Sequence, residues 1–557
     1  MAATIIDGSK HHFVSIWEGT GQGQRVGNFI PFTDNGTISN SCIFNDGDNP
    51  NLTRTAGGSP SSTKIFTLSW WVKRCVLSAT QTMIGLAEVS SSTNRPVFNF
   101  NSSNQLQLAT SGGTTLNKVT NRTFEDTSKW YHIVARIDTT QSTAADRVRV
   151  YVDGDQITSF GTDTNPAQDT DFQLASQTMN IGRLSGTSQQ FDGYLAEINY
   201  ADGQSYAPST FGVTDTTTGR WIPKALTGIT YGNNGYRLKF QDSSALGDDT
   251  SGNGNDFTAN NLAAIDFSIN SPTNNMAVVQ NYTTSYKQTL AQGNRQTTTT
   301  GSNSGYPVMS TLKMQRGKYY AEVRTSSDGG SGTISMGCYY YNELANFSSG
   351  NFYNGHSGTD GSGAGLWYVE GSYNDQLRFG TGSGFVTTKE SNFMNMDAGD
   401  VIGIAIDCDN NTITFYDDDG SNVGTTSILE HLKPVVFSAM SNVSGVSYIW
   451  NFGDNGTFCG NETAGGNTDS NSQGNFFHSV PANHVMLTQD NLIAAGSEFT
   501  EERKGIPDLM QIKNRDATDR WCWQDTVRGL DEYGSSASAS PGTPVQFNSA
   551  ITDGVQK

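Results

Sequence analysis

Residues 147–157 read Arg147-Val148-Arg149-Val150-Tyr151-Val152-Asp153-Gly154-Asp155-Gln156-Ile157, and their reading decides the fold class. Val148, Val150 and Val152 recur at every second position, the period of a strand with two unlike faces. Asp153-Gly154 then offers residue types that tolerate the positive φ of a tight hairpin turn, and Gln156-Ile157 starts the return. The run Lys129-Trp130-Tyr131-His132-Ile133-Val134-Ala135-Arg136-Ile137 has the same aromatic and β-branched make-up. It is expected to pair with 147–152.

Outward from this hairpin the pattern repeats, and helical periodicity is nearly absent. Phe66-Thr67-Leu68-Ser69-Trp70-Trp71-Val72-Lys73 reads as a strand with one buried face. Asn180–Arg183 and Phe191–Tyr200 close a β block over 39–205. Residues 206–312 are rich in Thr, Asn and Gly and read as a connector with one strand, Gly235–Phe240; Thr297–Ser304 (TTTTGSNS) reads as a loop. A second β block over 313–457 opens with Gly317–Val323. It continues through Asp400–Ile406 and Thr412–Tyr416, a hairpin across Asp409-Asn410-Asn411, and ends with Pro434–Ala439 and Trp450–Gly453. Residues 458–557 contain candidate strands at Asp508–Arg515 and Trp521–Gly529, too few for an independent sandwich, so an incomplete C-terminal β module is expected. Residues 1–38 are too short to hold a core, and their Phe13, Trp17, Phe29 and Phe32 are expected to pack on the next domain or dock on a partner. The fold class expected is all-β: tandem antiparallel β-sandwiches with short extra segments at both ends.

Composition narrows function. The chain of 557 residues carries 34 Lys and Arg against 53 Asp and Glu, a formal charge of −19, which argues against electrostatic binding of nucleic acid or anionic membrane. Aromatic residues make up 10%, enough for several cores, while only 16% are charged, so a folded, polar-surfaced protein is expected. The six cysteines form no CxxC pair and are too sparse for a zinc site or a disulfide framework. Cys408, in an apolar run, is expected in or near a core. No signal-peptide pattern opens the sequence and no apolar run is long enough to span a bilayer, so synthesis in a cytoplasm without export signals, and no membrane insertion, is expected.

The motifs Leu68–Lys73, Trp130–Val134, Tyr151–Gly154, Ile181–Arg183 and Phe191–Ile198 make the 39–205 block resemble the laminin G-like, concanavalin A-like jelly-roll family. Gly317–Val323, Gly399–Asp407, Ile413–Tyr416 and Asn451–Gly453 make the 313–457 block resemble a SPRY domain. The jelly-roll followed by Tyr236–Phe240, Asp249–Thr258 and Ser271–Asn275, with Pro507–Arg515 and Asp525–Gly529 in the tail, resembles virion appendage proteins of tailed bacteriophages. That resemblance implies a tail fibre, assembled in the host cytoplasm and attached to other virion tail proteins through its N-terminus, with Phe13, Trp17, Phe29 and Phe32 as the tail-docking residues. It further implies a homotrimer that contributes, without catalysis, to recognition of a host cell-surface glycan or protein. A capsid decoration or baseplate component and a polysaccharide depolymerase are the alternatives.

Candidate site residues follow from chemistry. Asp248, Asp249, Asn253, Asn255 and Asp256 offer closely spaced hard oxygens for Ca²⁺, against an Asx-rich turn closed on its own backbone. Asp417-Asp418-Asp419-Gly420 reads as a hairpin turn. Tyr339, Tyr341, Tyr353 and Trp367 are candidates for contacting a glycan or protein, because sugar rings stack on flat aromatic faces; alternation in a strand would send half of them inward. His132 shares a strand with apolar neighbours and is expected to be packed. No histidine lies in a nucleophile elbow or an HExxH motif, and no cofactor is expected.

Overall fold

The computed structural model describes residues 36–495 except 87–93, 111–112, 175–176, 187, 217–218, 282–287, 301–306, 328–332, 341–364, 372–375, 382–383, 390–393, 395–396, 427–433 and 442, together with four short strands beyond residue 508. The proposed docking residues Phe13, Trp17, Phe29 and Phe32 lie outside the described residues, as do Tyr341 and Tyr353.

The hairpin that opened the reading is present: Val148–Val152 runs antiparallel to Tyr131–Asp138, with Ile133 opposite Val152 and Ala135 opposite Val150. Asp153 and Gly154 turn the chain at φ 52° and 84°. These strands belong to a sheet ordered Asp155–Gln156, Val148–Val152, Tyr131–Asp138, Ile65–Arg74, Gly193–Asp202, Ser41–Phe44, Phe267–Ser268, with Tyr236–Leu238 also paired to Gly193–Asp202. The facing sheet is ordered Phe160–Thr164, Asn117–Thr123, Gln105–Thr110, Pro96–Phe100, Gln81–Gly85, Thr178–Ile181, Asn51–Thr55, Thr258–Asn260. Phe66, Leu68, Trp70 and Val72 from the first sheet meet Met83, Phe98, Phe100 and Leu106 from the second. Trp70 sits edge-on to Phe98 at 5.5 Å. Each such side chain contributes roughly 2–3 kcal/mol on burial.

Two expectations change here. Ile65–Arg74 is buried on both faces, not one: Thr67, Ser69, Trp71 and Lys73 are enclosed as fully as Leu68 and Trp70. Segment 206–312, expected to connect, supplies the cover. Trp221, from the small hairpin Gly212–Thr214 with Trp221–Pro223, lies over His132, which stacks on Trp71 at 4.5 Å. Val278 packs with Ile43, Trp71, Trp130 and Tyr194. The same segment also completes the first core with Tyr236, Leu238, Phe240, Leu246 and Phe257.

A third correction is the threonine tract. Gln296–Thr299 is a strand paired with Ser447–Asn451, and Thr297 and Thr299 are buried. β-Branched threonine suits a strand whose alternate side chains turn inward, and polarity alone hid it.

The second sandwich has one sheet ordered Val279–Asn281, Val308–Ser310, Val435–Ser441, Thr333–Tyr340, Gly365–Gly371, Gln376–Thr381, Gly384–Lys389. The other is ordered Gln288–Ala291, Gln296–Thr299, Ser447–Asn451, Lys318–Thr325, Val401–Asp407, Thr412–Tyr416, Asn422–Thr426, with Val485–Met486 parallel to Lys318–Thr325. Trp450 and Phe452 stack at 5.4 Å within its core, and Cys408 lies at its edge, buried. Residues 458–495 fold onto this sandwich, with Phe476 and Met486 packed on Tyr320, so they do not belong to a C-terminal module. The compact C-terminal unit is Thr500–Lys557, where Leu509–Ile512, Cys522–Asp525, Glu532–Ser535 and Val545–Gln546 form an antiparallel sheet.

Polar groups knit the two sandwiches together within Met1–Phe499. The Lys73 ammonium, 0% exposed, donates to Asn275 Oδ1 at 2.9 Å and Met276 O at 2.7 Å. Asn275 donates in turn to Ser128 O and Gln489 Oε1. Tyr194 Oη donates to Gly293 O and Asn294 Nδ2 to Cys75 O; the buried pair Arg295–Asp454, 3.9 Å apart within the second sandwich, reaches the first, Arg295 donating to Ile265 O and Asp454 accepting from Ser268 Oγ.

Candidate binding cleft

The loop singled out for its oxygens is built around Asp249. Its Oδ1 accepts from the Arg237 and Ser251 N–H groups at 2.9 and 2.8 Å; its Oδ2 accepts from Ser251 Oγ and the Asn255 N–H, both at 2.8 Å. Gly252 and Gly254 take φ 94° and 69°, which lets the chain double back. Asn253 Nδ2 donates to Gly232 O and Gly235 O, and Asn255 Nδ2 to Asn233 O and Gly235 O. Asn255 Oδ1 accepts from the Arg54 guanidinium. This is the geometry of an Asx-rich turn. A Ca²⁺ ion there would compete with four hydrogen bonds to Asp249 and with a guanidinium on Asn255, so the residues do not fit a calcium cage. Asp248 is exposed beside the turn. Among the described residues no group of three or more His, Cys, Asp or Glu side chains is placed to hold a metal.

What the loop does build is a wall. Phe257, buried, anchors its far end, and its carbonyl passes so close to Gly247 that an added Cβ would lie 1.9 Å from it. Beyond Phe257 the chain enters Thr258–Asn260, which pairs with Asn51–Thr55, itself paired with Thr178–Ile181. Between the loop and these strand edges lies an open polar cleft of about 430 Å³, lined by Arg54, Thr55, Thr178, Asn255, Asp256 and Thr258 among others. Thr55 and Thr178 share a hydroxyl–hydroxyl bond of 3.1 Å across its floor. Arg54 Nη1 also donates to Asn234 O at 3.4 Å, and burial pulls its guanidinium below the ordinary value while Tyr236, Asp249 and Tyr200 pull it back. Asp256 Oδ1 accepts from the Asp249 N–H at 2.8 Å. The sequence signalled the loop but not the cleft, because Arg54 and Thr178 lie far away along the chain.

The aromatic candidates fare differently. Tyr339 lies in Thr333–Tyr340 and is 1% exposed, a correction to its expected ligand contact: Ile334, Met336 and Cys338 of that strand fill the sandwich core, and Tyr339 is buried on the opposite face of the sheet. Trp367 lies in Gly365–Gly371, opposite Gly337 and Arg378. The Asp417–Gly420 cluster is a hairpin turn, with the Gly420 N–H on Asp417 O and the Ser421 N–H on the Asp417 and Asp419 carboxylates.

One pairing was missed. Ser69 Oγ lies 2.9 Å from His132 Nε2 across neighbouring strands. Trp221 Nε1–H donates to His132 Nδ1 at 2.9 Å, so Nδ1 is unprotonated and Nε2 carries the hydrogen that Ser69 accepts. Burial lowers the imidazole to about 3. A histidine that already donates to the serine cannot deprotonate it, and the pair is enclosed under Trp71 and Trp221.

Comparison with known families finds two domains. Residues 46–204 match the concanavalin A-like lectin/glucanases superfamily, and residues 318–455 match the SPRY domain. No curated protein matches the chain. Among solved structures, a TRIM65 PSpry domain is 14% identical, covering 31% of this chain and 91% of its own, with a TM-score of 0.23. A heptameric SAP-like pentraxin from Limulus polyphemus is 16% identical, covering 41% and 94%, with a TM-score of 0.27. Stonustoxin is 16% identical, covering 31% and 27%, with a TM-score of 0.23.

Proposed function

We propose that this chain is a non-enzymatic recognition protein that binds a host-surface ligand through the rim of its concanavalin A-like sandwich. The observation that carries this reading is the cleft beside Arg54, Thr178 and Asp256: open, polar and lined by groups that both donate and accept hydrogen bonds. Of the described residues lining it, Asp256 alone is a carboxylate, whereas glycoside hydrolysis uses a pair flanking the sugar. Binding without cleavage is therefore the better-supported use.

The sequence resemblance to tailed-phage appendage proteins supports a place in the virion tail, in contact with other tail proteins and as a homotrimer. The test is competition: purified chain added to host cells should block adsorption of the phage, and gold-labelled antibody should decorate the tail. Adsorption unaffected by saturating chain would refute the recognition role. Gold on the head would move the protein to the capsid. Oligosaccharide released from host envelope polysaccharide would restore the depolymerase reading.

A further inference from the structure

We infer that the Arg54–Thr178–Asp256 cleft selects an uncharged, hydroxyl-rich saccharide, and that the 248–258 loop sets this selectivity; the inference rests on the recognition reading above. Charge argues first. The guanidinium of Arg54 is the cation lining the cleft, and two of its nitrogens already donate to Asn255 Oδ1 and Asn234 O. Asp249 stands behind the wall and Asp256 on it, so the local balance is one cation against two carboxylates, within a chain of formal charge −19. A uronate, sialate or phosphate would enter against that field without a free guanidinium fork to receive it.

Polarity argues second. Thr55, Thr178 and Thr258 present hydroxyls that serve as donor and acceptor, which matches sugar hydroxyls and no apolar ligand. Asp256 Oδ2 has no hydrogen-bond partner among the described residues, which leaves a carboxylate oxygen to accept from a ligand hydroxyl. The loop argues third. Asn255, Asp256 and Thr258 belong to the 248–258 loop and the edge strand after it, so the loop places three of the cleft's polar side chains. Among the described residues no aromatic ring lines the cleft, so one site gains little from stacking and binds weakly; several copies presented together would supply the avidity.

The test is a glycan array carrying neutral hexose and N-acetylhexosamine oligomers beside uronate- and sialate-bearing ones. It is probed with the full chain, Asp256→Asn and Thr258→Arg. The Asp256→Asn change keeps the Oδ1 acceptor for Asp249, and Thr258 is exposed on a short edge strand, so both variants should melt like the parent. The expected result is retention on neutral oligomers only, weakened about tenfold by Asp256→Asn and abolished by Thr258→Arg. Preference for anionic glycans overturns the inference. So does neutral binding that Thr258→Arg leaves unchanged, although recognition by another surface would then stand. Chain that binds no glycan yet competes for adsorption overturns the saccharide and keeps the recognition role, whereas failure in both assays removes both.

Discussion

Lys73→Met is the substitution whose effect the structure fixes most closely. The Lys73 amine is fully enclosed, and burial lowers it from the ordinary 10.5 to about 8, against the weaker upward pull of Cys75, Asp454 and Asp126. At 1.36 kcal/mol per pH unit, that difference means holding the ammonium inside costs about 3 kcal/mol at neutral pH. The sign follows from linkage. Between about pH 8 and 10.5 the unfolded chain keeps a proton on this amine that the folded chain has released, so stability rises with pH across that window. Methionine of similar length removes the penalty but strips the hydrogen bonds from Asn275 Oδ1 and Met276 O, each worth roughly 1–1.5 kcal/mol here. The variant should therefore match the parent within about 1 kcal/mol at pH 7 and fall behind by about 3 kcal/mol at pH 10.5. Guanidinium unfolding followed by tryptophan fluorescence at pH 7, 8, 9 and 10.5 measures this. Tyrosine ionisation in the unfolded state affects both proteins equally and cancels in the difference. Parallel pH profiles for the two proteins would refute the assignment of a buried, depressed lysine.

Three further outcomes are expected. Trp221→Ala removes both the ring stacked over His132 and the N–H bonded to its Nδ1, so the His132 imidazole should climb from about 3 toward the ordinary range, as read by NMR titration of its ring protons. Glu322→Gln should destabilise by about 1–3 kcal/mol in denaturant melts: the buried carboxylate accepts from the Asn451 amide, the Phe477 and His478 N–H groups and Tyr320 Oη, and a carboxamide turns one of those acceptors into a donor. A fragment ending at residue 205 should aggregate on expression, whereas one ending at residue 495 should be soluble and cooperative. The shorter piece lacks Tyr236, Leu238, Phe240 and Phe257 from its core and the cover over Trp71, with light scattering and calorimetry as the readouts.

The strands were legible wherever alternation and turn chemistry agreed. Val148–Val152 with Asp153-Gly154, and Val401–Asp407 with Thr412–Tyr416, each combine an apolar period of two with a residue at positive φ, Asp153 or Asn411. Burial on the second face was not legible, because nothing in Thr67 or Lys73 announces that residues 137 and 202 positions later, Gln204 and Asn275, cover them. Threonine was the other blind spot: Gln296–Thr299 has the polarity of a linker and the branching of a strand, and tertiary pairing with Tyr448 and Ile449 decided between them. The cleft was half legible. Its wall could be read as an Asx-rich loop from local spacing, but its floor comes from Arg54 and Thr178, which only strand pairing brings beside Thr258.

The seam bears on how such a protein would transmit a binding event. A hinge between the sandwiches would have to expose Lys73, the Arg295–Asp454 pair and the Asn294 bond to Cys75, all buried. The Arg295–Asp454 pair lies on one side of the seam and would stay together but be wetted, while the Tyr194–Gly293 and Asn294–Cys75 hydrogen bonds, about 1 kcal/mol each, would break. Water entering the gap would recover some of this, yet Val278 would also leave its place among Trp71, Trp130 and Tyr194. Bending at the seam is thus disfavoured by several independent interactions, and the concanavalin A-like and SPRY sandwiches are held as one body. A ligand in the cleft beside Thr178 then acts on that whole body, because Thr178–Ile181 is hydrogen-bonded through Gln81–Gly85 into the sheet that packs on Ile65–Arg74, the strand that carries Lys73.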